Sequence, residues 1–204
     1  NDVAAVREMA ATLPSGAAVM VDLKTIWGQF NYSSAVSSAT HSNRLDILQV
    51  DKLITDITSR NLYTIAVVPA FRDRYFFLKS NNNTSMGLAI KGKGYLWQDN
   101  DNCYWFDPSD NDTINWLKEI VTELKSLGFD QVVFSEFRIP DTDRIGDERL
   151  QGHGGGRLAG LLAGSGQGDG VSGVALYVPC DLLADGVLLE IAGAEELVAG
   201  ANGA

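Results

Sequence analysis

The sequence contains few of the residues that metal sites, disulfide frameworks and nucleotide sites require. Its 204 residues include two cysteines, Cys103 and Cys180, and two histidines, His41 and His153. The cysteines lie far apart with no second pair, and neither histidine falls in an HExxH pattern. The loop that follows VMVDLK (19–24) lacks the GxGxxG motif of dinucleotide sites, and GxxxxGK[ST] occurs nowhere in the chain. We therefore expect no metal site, no disulfide framework and no cofactor.

Long apolar runs and basic clusters are also missing. No stretch of about 18 apolar residues occurs, so the sequence predicts no membrane-spanning segment. There are 16 Lys and Arg residues against 26 Asp and Glu residues, which gives a net charge of −10. This charge argues against a nucleic-acid partner, because phosphate binding depends on basic patches. It suits cations and neutral, hydroxyl-rich ligands, or it serves solubility alone.

Glycine and aromatic residues are divided unequally along the chain. Residues 1–146 hold 7 of the 21 glycines and 17 of the 18 aromatic residues, whereas residues 147–204 hold 14 glycines and one aromatic residue, Tyr177. We therefore divide the chain into residues 1–145, which carry the fold and the function, and a Gly/Ala/Leu-rich tail over residues 146–204. The tail's composition fits a frameshifted reading of a GC-rich gene, a glycine-rich linker or a diverged continuation of the domain.

Helical and strand patterns alternate through residues 1–145. Apolar residues at intervals of three and four predict helices over residues 2–13, over residues 47–60 and between Asp110 and Gly128. Continuous apolar runs predict buried strands over residues 17–23, 63–71 and 131–137. This alternation is typical of a parallel sheet built from βαβ units, so we predict an α/β fold with about three parallel strands. The periodicity alone does not choose between a barrel and an open sheet.

Polar residues follow each predicted strand at its carboxyl end, where both kinds of α/β protein place their sites. Asp22 and Lys24 follow the first run, Asp73 follows the second, and Glu136 and Arg138 follow the third. These residues are the first candidates for a functional site.

Four segments carry a resemblance to a known family: VDLK (21–24), IAVVPAF (65–71), the WQD and WFDP segments of one loop (97–108), and GFDQVVFSEFRIP (128–140). In this order they resemble a bacterial glycoside-hydrolase-like (β/α)8 barrel family, over about residues 2–145. The resemblance implies an extracytoplasmic or cell-envelope protein that hydrolyses glycosidic bonds. It also implies one strand before the first helix and four strand–helix units after residue 140. We therefore expect an incomplete TIM-type (β/α)8 barrel, a fragment of a longer parent, because such barrels need about 250 residues.

Glycoside hydrolysis uses two carboxyl groups that flank the scissile bond. Asp22 and Glu136 are the predicted catalytic carboxylates, and Arg138 would orient or charge-pair one of them. The resemblance implies an aspartate and an aromatic residue where this chain has Ser135 and Glu136. Glu136 then acts from a different wall, or the acid has been lost. Two structural alternatives stay open: an ion pair of Glu136 with Arg138 or Arg72, and a pair between Asp22 and Lys24 that fixes the following loop.

Strand alternation gives a further expectation about the third strand. If Glu136 faces the barrel interior, alternation sends Val132, Phe134 and Arg138 the same way. It leaves Val133, Ser135 and Phe137 pointing toward the helices.

A carbohydrate is the expected ligand. The predicted substrate-binding residues lie near the strand ends and in the aromatic-rich loops: Lys24, Trp27, Arg72, Asp73, Trp97 and Trp105. Flat aromatic rings suit pyranose faces, although such rings also pack long loops onto a fold. Asp107 is expected to cap a helix. The alternative functions are a non-catalytic polysaccharide-binding barrel module and an inactive truncated product.

Overall fold

The described part of the chain alternates helices and strands along residues 3–138. The computed structural model describes residues 3–80, 85–90 and 93–138, together with the backbone of one strand in the tail. The elements, in chain order, are helix α1 (Val3–Ala11), strands β1 (Ala18–Asp22), β2 (Gln29–Phe30) and β3 (Thr40–His41), helix α2 (Ile47–Thr58), strand β4 (Tyr63–Pro69), helices α3 (Tyr75–Lys79) and α4 (Asn111–Ser126), and strands β5 (Gln131–Ser135) and β6 (Leu176–Pro179).

Strands β1, β4 and β5 form the parallel sheet that the sequence predicts. The strand order is β1-β4-β5-β6, and Val21, Ala66 and Val132 lie in register across the three parallel strands. Strand β6 pairs with β5 in the antiparallel direction. Within the described residues the sheet stays open, because β1 has no neighbour on its outer side. The rest of the 146–204 tail, including the predicted domain boundary, lies outside the described residues.

The helices begin and end where short polar residues and glycine allow. Asp46 caps α2 by accepting a hydrogen bond from the Gln49 amide, and Asp110 caps α4 by accepting from the Asp112 and Thr113 amides. No helix in the described ranges is both long and apolar enough to cross a membrane.

The prediction that Asp107 caps a helix is wrong. Its Oδ1 accepts hydrogen bonds from the Ser109 amide and hydroxyl at 2.9 and 2.6 Å, which closes a turn before α4. Asp110 takes the cap position instead, because its own carboxylate reaches the first free amides of the helix. The predicted stop at Gly128 is confirmed, since this glycine follows α4 with a φ of +93°.

The two faces of the parallel sheet differ in burial. Ala66, Val132 and Phe134 belong to the buried core together with apolar residues of α2 and α4. The opposite face is more open: Met20 on β1 is 57% exposed. Val132 and Phe134 therefore point toward the helices, opposite to the expectation drawn from strand alternation, whereas Phe137 packs against the core as expected. The reason is local, because Glu136 has a φ of +51° and the alternation of β5 does not continue through it.

Candidate functional site

Lys24 and Asp73 form a buried ion pair behind the carboxyl edge of the sheet. Lys24 Nζ lies 2.8 Å from Asp73 Oδ2, and the side chains are 0% and 1% exposed. The same ammonium group donates to the Pro69 carbonyl at 3.4 Å and lies 4.5 Å from the ring centroid of Trp116 in α4. Burial lowers the pKa of Lys24, although the charge of Asp73 opposes this shift. Lys24 and Asp73, which the sequence predicts to bind substrate, thus lie on the helix side of the sheet, away from solvent.

Asp73 also organises the backbone around it. Its Oδ1 accepts a hydrogen bond of 2.7 Å from the Phe76 amide in α3. Its Oδ2 forms the ion pair with the Lys24 ammonium group but accepts no well-directed hydrogen bond from the described residues. Gly28 approaches this carboxylate with a φ of +96°, and a methyl group there would overlap it. Lys24 therefore fixes the loop after β1 through Asp73, and the alternative pair with Asp22 is not formed.

A second ionic cluster joins the loop after β4 to the aromatic-rich loop. Arg72 donates from Nε to Asp99 Oδ2 and from Nη2 to Asp101 Oδ2, both at 2.7 Å. Trp105 donates its indole N–H to Asp99 Oδ2 at 3.0 Å. Burial would lower the pKa of Arg72, but its bonds to Asp99 and Asp101 raise it. Arg72 is therefore a fixed cation of this cluster.

The three predicted sugar-binding tryptophans differ in exposure. Trp97 and Trp105 are buried, so their rings pack the aromatic-rich loop onto the domain. Trp27 is half-buried, and the Arg72 guanidinium carbon lies 5.4 Å from its ring centroid. Its carbonyl accepts from the Arg74 and Tyr75 amides at the start of α3. Trp27 is thus the most exposed of the three tryptophans.

Glu136 and Arg138 form a loose pair at the end of β5. Both Nε and Nη2 of Arg138 lie 3.4 Å from Glu136 Oε2, and the side chains are 41% and 21% exposed. The Arg138 guanidinium carbon lies 5.8 Å from the ring centroid of Trp105. Glu136 occupies the left-handed region of backbone space, which is costly for a residue with a side chain. Glu136 thus pairs with Arg138 and not with Arg72, the other predicted partner.

Asp22 ends β1 on the open face of the sheet and is exposed. Its register partner is Val67 on β4, which in turn pairs with Val133 on β5. Glu136 therefore lies two strand spacings away, about 10 Å across the sheet and up to about 10 Å further along it. The two predicted catalytic acids share one edge of the sheet without touching.

Comparison with known proteins assigns the chain to a family. Residues 11–155 match a family model described as "Putative glycosyl hydrolase domain". The chain belongs to this family. The fold is also similar to the crystal structure of a hypothetical protein from Ruminiclostridium thermocellum ATCC 27405, with a TM-score of 0.55 and 24% sequence identity, over 68% of this chain and 71% of that chain. No curated protein matches the chain.

No group of three or more His, Cys, Asp or Glu residues in the described ranges is arranged to hold a metal ion. The acid-rich Asp99–Cys103 turn is instead organised by Arg72 and by its own amides: Asp99 Oδ1 accepts from the Asp101 and Cys103 amides at 2.9 Å each.

Asp99 and Asp101 are the residues that sequence reasoning missed. A usable signal was present, because Asp99 follows Trp97 by two residues in a loop that is otherwise dense in Asp and Asn. Their partner, however, is Arg72, which lies 27 residues earlier than Asp99, and nothing in the spacing links the two.

Proposed function

We propose that residues 1–145 form part of the wall of a carbohydrate-active (β/α)8 barrel and that the longer parent protein hydrolyses glycosidic bonds. Family membership supports a glycoside-hydrolase-like function, and the parallel β1-β4-β5 sheet has the alternation of strands and helices that such a wall requires. The open sheet face that carries Met20 is the face that would line the barrel interior.

The observation that carries the proposal is the accessibility of two acids at the carboxyl edge. The carboxylates of Asp73 and Asp99 are committed to buried or nearly buried partners. Asp22 is exposed, and Glu136 is only loosely held by Arg138. These two are therefore the strand-end acids free to meet a substrate in a site of this kind.

The chemistry needs one acid to protonate the leaving glycosidic oxygen and the other to act on the opposite side of the sugar. In an inverting reaction that second carboxylate removes a proton from the attacking water while the C–O bond breaks, across a carboxyl separation of about 6.5–9.5 Å. The backbone separation of Asp22 and Glu136 requires both side chains to lean toward the cleft to reach this range. We assign Arg138 to orienting Glu136, and Trp27 to stacking on a pyranose ring.

A second function, carbohydrate binding without hydrolysis, is favoured by one specific observation. Glu136 turns toward Arg138, and its backbone lies well away from Asp22. In that case Asp22 acts alone as a hydrogen-bond acceptor for sugar hydroxyls, and Trp27 supplies the stacking surface.

Asp22→Asn and Glu136→Gln, each made in the full-length parent, separate these functions. We expect each to lower the release of reducing ends from polysaccharides by about 10²–10⁴-fold, the usual contribution of a positioned acid or base. The matched control is Glu8→Gln, because Glu8 is exposed on α1. Full activity in both acid variants would refute hydrolysis by this pair. Polysaccharide binding without hydrolysis by the wild type would support the second function.

A further inference from the structure

The carboxylate of Asp99 bonds to two side chains, Arg72 and Trp105, which in turn contact Trp27 and Arg138 of the proposed site. Oδ1 accepts from the Asp101 and Cys103 amides at 2.9 Å each, which fixes the turn that carries Asp99. Oδ2 accepts from Arg72 Nε at 2.7 Å and from Trp105 Nε1 at 3.0 Å. Each oxygen thus accepts two hydrogen bonds, and the side chain has little freedom left.

Arg72 and Trp105, the two partners of Oδ2, contact different parts of the proposed site. Arg72 lies against the ring of Trp27, with 5.4 Å between the guanidinium carbon and the ring centroid. Trp105 lies beneath the guanidinium of Arg138, with 5.8 Å between the corresponding points, and Arg138 contacts Glu136. One carboxylate therefore bonds to the residues that contact both the half-buried Trp27 and the Arg138–Glu136 pair.

We infer that Asp99 is a positioning residue of the carbohydrate site, which sets the direction of Glu136 through Trp105 and Arg138. This inference rests on the proposed function for its catalytic meaning, although the positioning itself is a physical property of the chain. Asp99 suits this role better than its neighbour Asp101, which is 65% exposed and bonds to Arg72 only at Nη2. The four hydrogen bonds of Asp99 restrict Arg72 and Trp105 to one geometry, whereas the exposed contact of Asp101 with Arg72 contributes little.

The direct test measures the accessibility of Glu136 and does not require activity. The full chain is labelled with a water-soluble carbodiimide and glycine ethyl ester, and the rate at each carboxylate is read by mass spectrometry. Asp99→Asn places an amide opposite two donors, so we expect the Glu136 rate to rise about threefold or more, the factor that loss of one net hydrogen bond gives. Asp112, exposed in the first turn of α4, is the internal reference. In the matched control, Asp101→Asn, the Glu136 rate should stay within about twofold, because exposed pairs contribute little.

A second pair of variants guards against a simple loss of folding. Trp105→Phe removes the indole N–H but keeps a ring under Arg138 and the charge of Asp99. We expect it to raise the Glu136 labelling rate as Asp99→Asn does. Trp97→Phe makes the same change at the other buried tryptophan of the loop and should leave the rate unchanged. An equal rise at Glu136 and Asp112 in the Asp99→Asn or Trp105→Phe protein would show a purely structural role and overturn the inference. An unchanged Glu136 rate in both would overturn it as well.

Hydrolysis then separates failure of the inference from failure of the proposed function. Reducing ends released from xylan, carboxymethylcellulose and soluble starch give kcat and KM for each variant in the full-length parent. We expect Asp99→Asn to lower kcat about tenfold or more with little change in KM, because a misdirected acid affects the transition state more than binding. If Glu136→Gln is inactive and Asp99→Asn changes neither kcat nor labelling, the positioning inference alone is wrong. If Glu136→Gln stays active, the proposed function is wrong, and the labelling still decides whether Asp99 positions Glu136.

Discussion

The ammonium group of Lys24 lies 2.8 Å from the carboxylate of Asp73, and both side chains are shielded from solvent. Lys24 follows β1, and Asp73 follows β4, so the pair joins the loops that leave two neighbouring strands. When one partner of a buried ion pair is removed, the remaining unpaired charge strongly destabilises the fold. We therefore expect the Lys24–Asp73 pair to stabilise the two loops at the carboxyl edge of the sheet.

Removing one member of this pair should be costly. We expect Asp73→Asn to lower the free energy of unfolding by about 3–5 kcal/mol, because Lys24 would be left as an unpaired buried charge. Urea unfolding monitored by tryptophan fluorescence measures this. The comparison is Asp56→Asn, which breaks the partly exposed pair with Arg7 and should cost less than about 1 kcal/mol. Equal losses in the two variants would contradict the importance of the buried pair.

Gly28 should tolerate no side chain. Its φ of +96° strains any other residue, and a methyl group would overlap the Asp73 carboxylate. Gly16 has a φ of +81° with nothing near its missing Cβ, so Gly16→Ala isolates the backbone strain of about 1–2 kcal/mol. We expect Gly28→Ala to cost a further 1–3 kcal/mol or so by overpacking. Thermal unfolding of both variants checks this, and similar melting temperatures would argue against close packing at Gly28.

The Arg72–Asp99 contact should weaken in acid. Burial would raise the pKa of Asp99, but hydrogen bonds from Arg72, the Cys103 amide and Trp105 lower it below 3.8. Because the folded pKa lies below the unfolded one, the contribution of Asp99 to stability is complete above pH 3.8 and is lost as the pH falls through the folded pKa. The stability difference between the wild type and Asp99→Asn should therefore be constant near neutral pH and shrink below that value. Urea midpoints measured across the acidic range test this; a difference that does not shrink would be inconsistent with a lowered pKa.

Glu123 on α4 should hold the loop after β2 in place. Its carboxylate accepts from the Tyr32 hydroxyl at 2.6 Å, the Ser34 hydroxyl at 2.7 Å and the Ala35 amide at 2.5 Å. Hydrogen bonds to a charged acceptor contribute about 1.5–3 kcal/mol, so Glu123→Gln should speed amide exchange at Ala35 strongly. Glu119→Gln is the control, since Glu119 makes one exposed bond to this loop. Exchange at Ala35 that is equally slow in both variants would disprove the anchor.

The fold was predictable where one strong pattern decides the structure. One face of β1, β4 and β5 packs against the helices, and α2 and α4 are long enough to show a clear apolar face. Helix α3 and strands β2 and β3 are too short to produce a period, and they depend on contacts such as Asp73 with the Phe76 amide.

The site was predictable only in its position along the strands. Asp22 ends β1, and the other four candidates follow strand ends, as the sequence indicates: Lys24, Asp73, Glu136 and Arg138. Which of them is buried depends on pairing across the fold, and sequence spacing contains no information about that. The left-handed backbone at Glu136 was equally hidden, because a glutamate carries no local signal for positive φ.

The most direct test of a functional Glu136 compares stability and activity in Glu136→Gly, made in the full-length parent. Glycine accepts the φ of +51° without cost, so the account predicts an unchanged or higher melting temperature. It also predicts a loss of about 10²–10⁴-fold in kcat/KM for polysaccharide hydrolysis. A Glu136→Gly protein that melts at the wild-type temperature or above and still hydrolyses the polysaccharide at the wild-type rate would contradict the assignment.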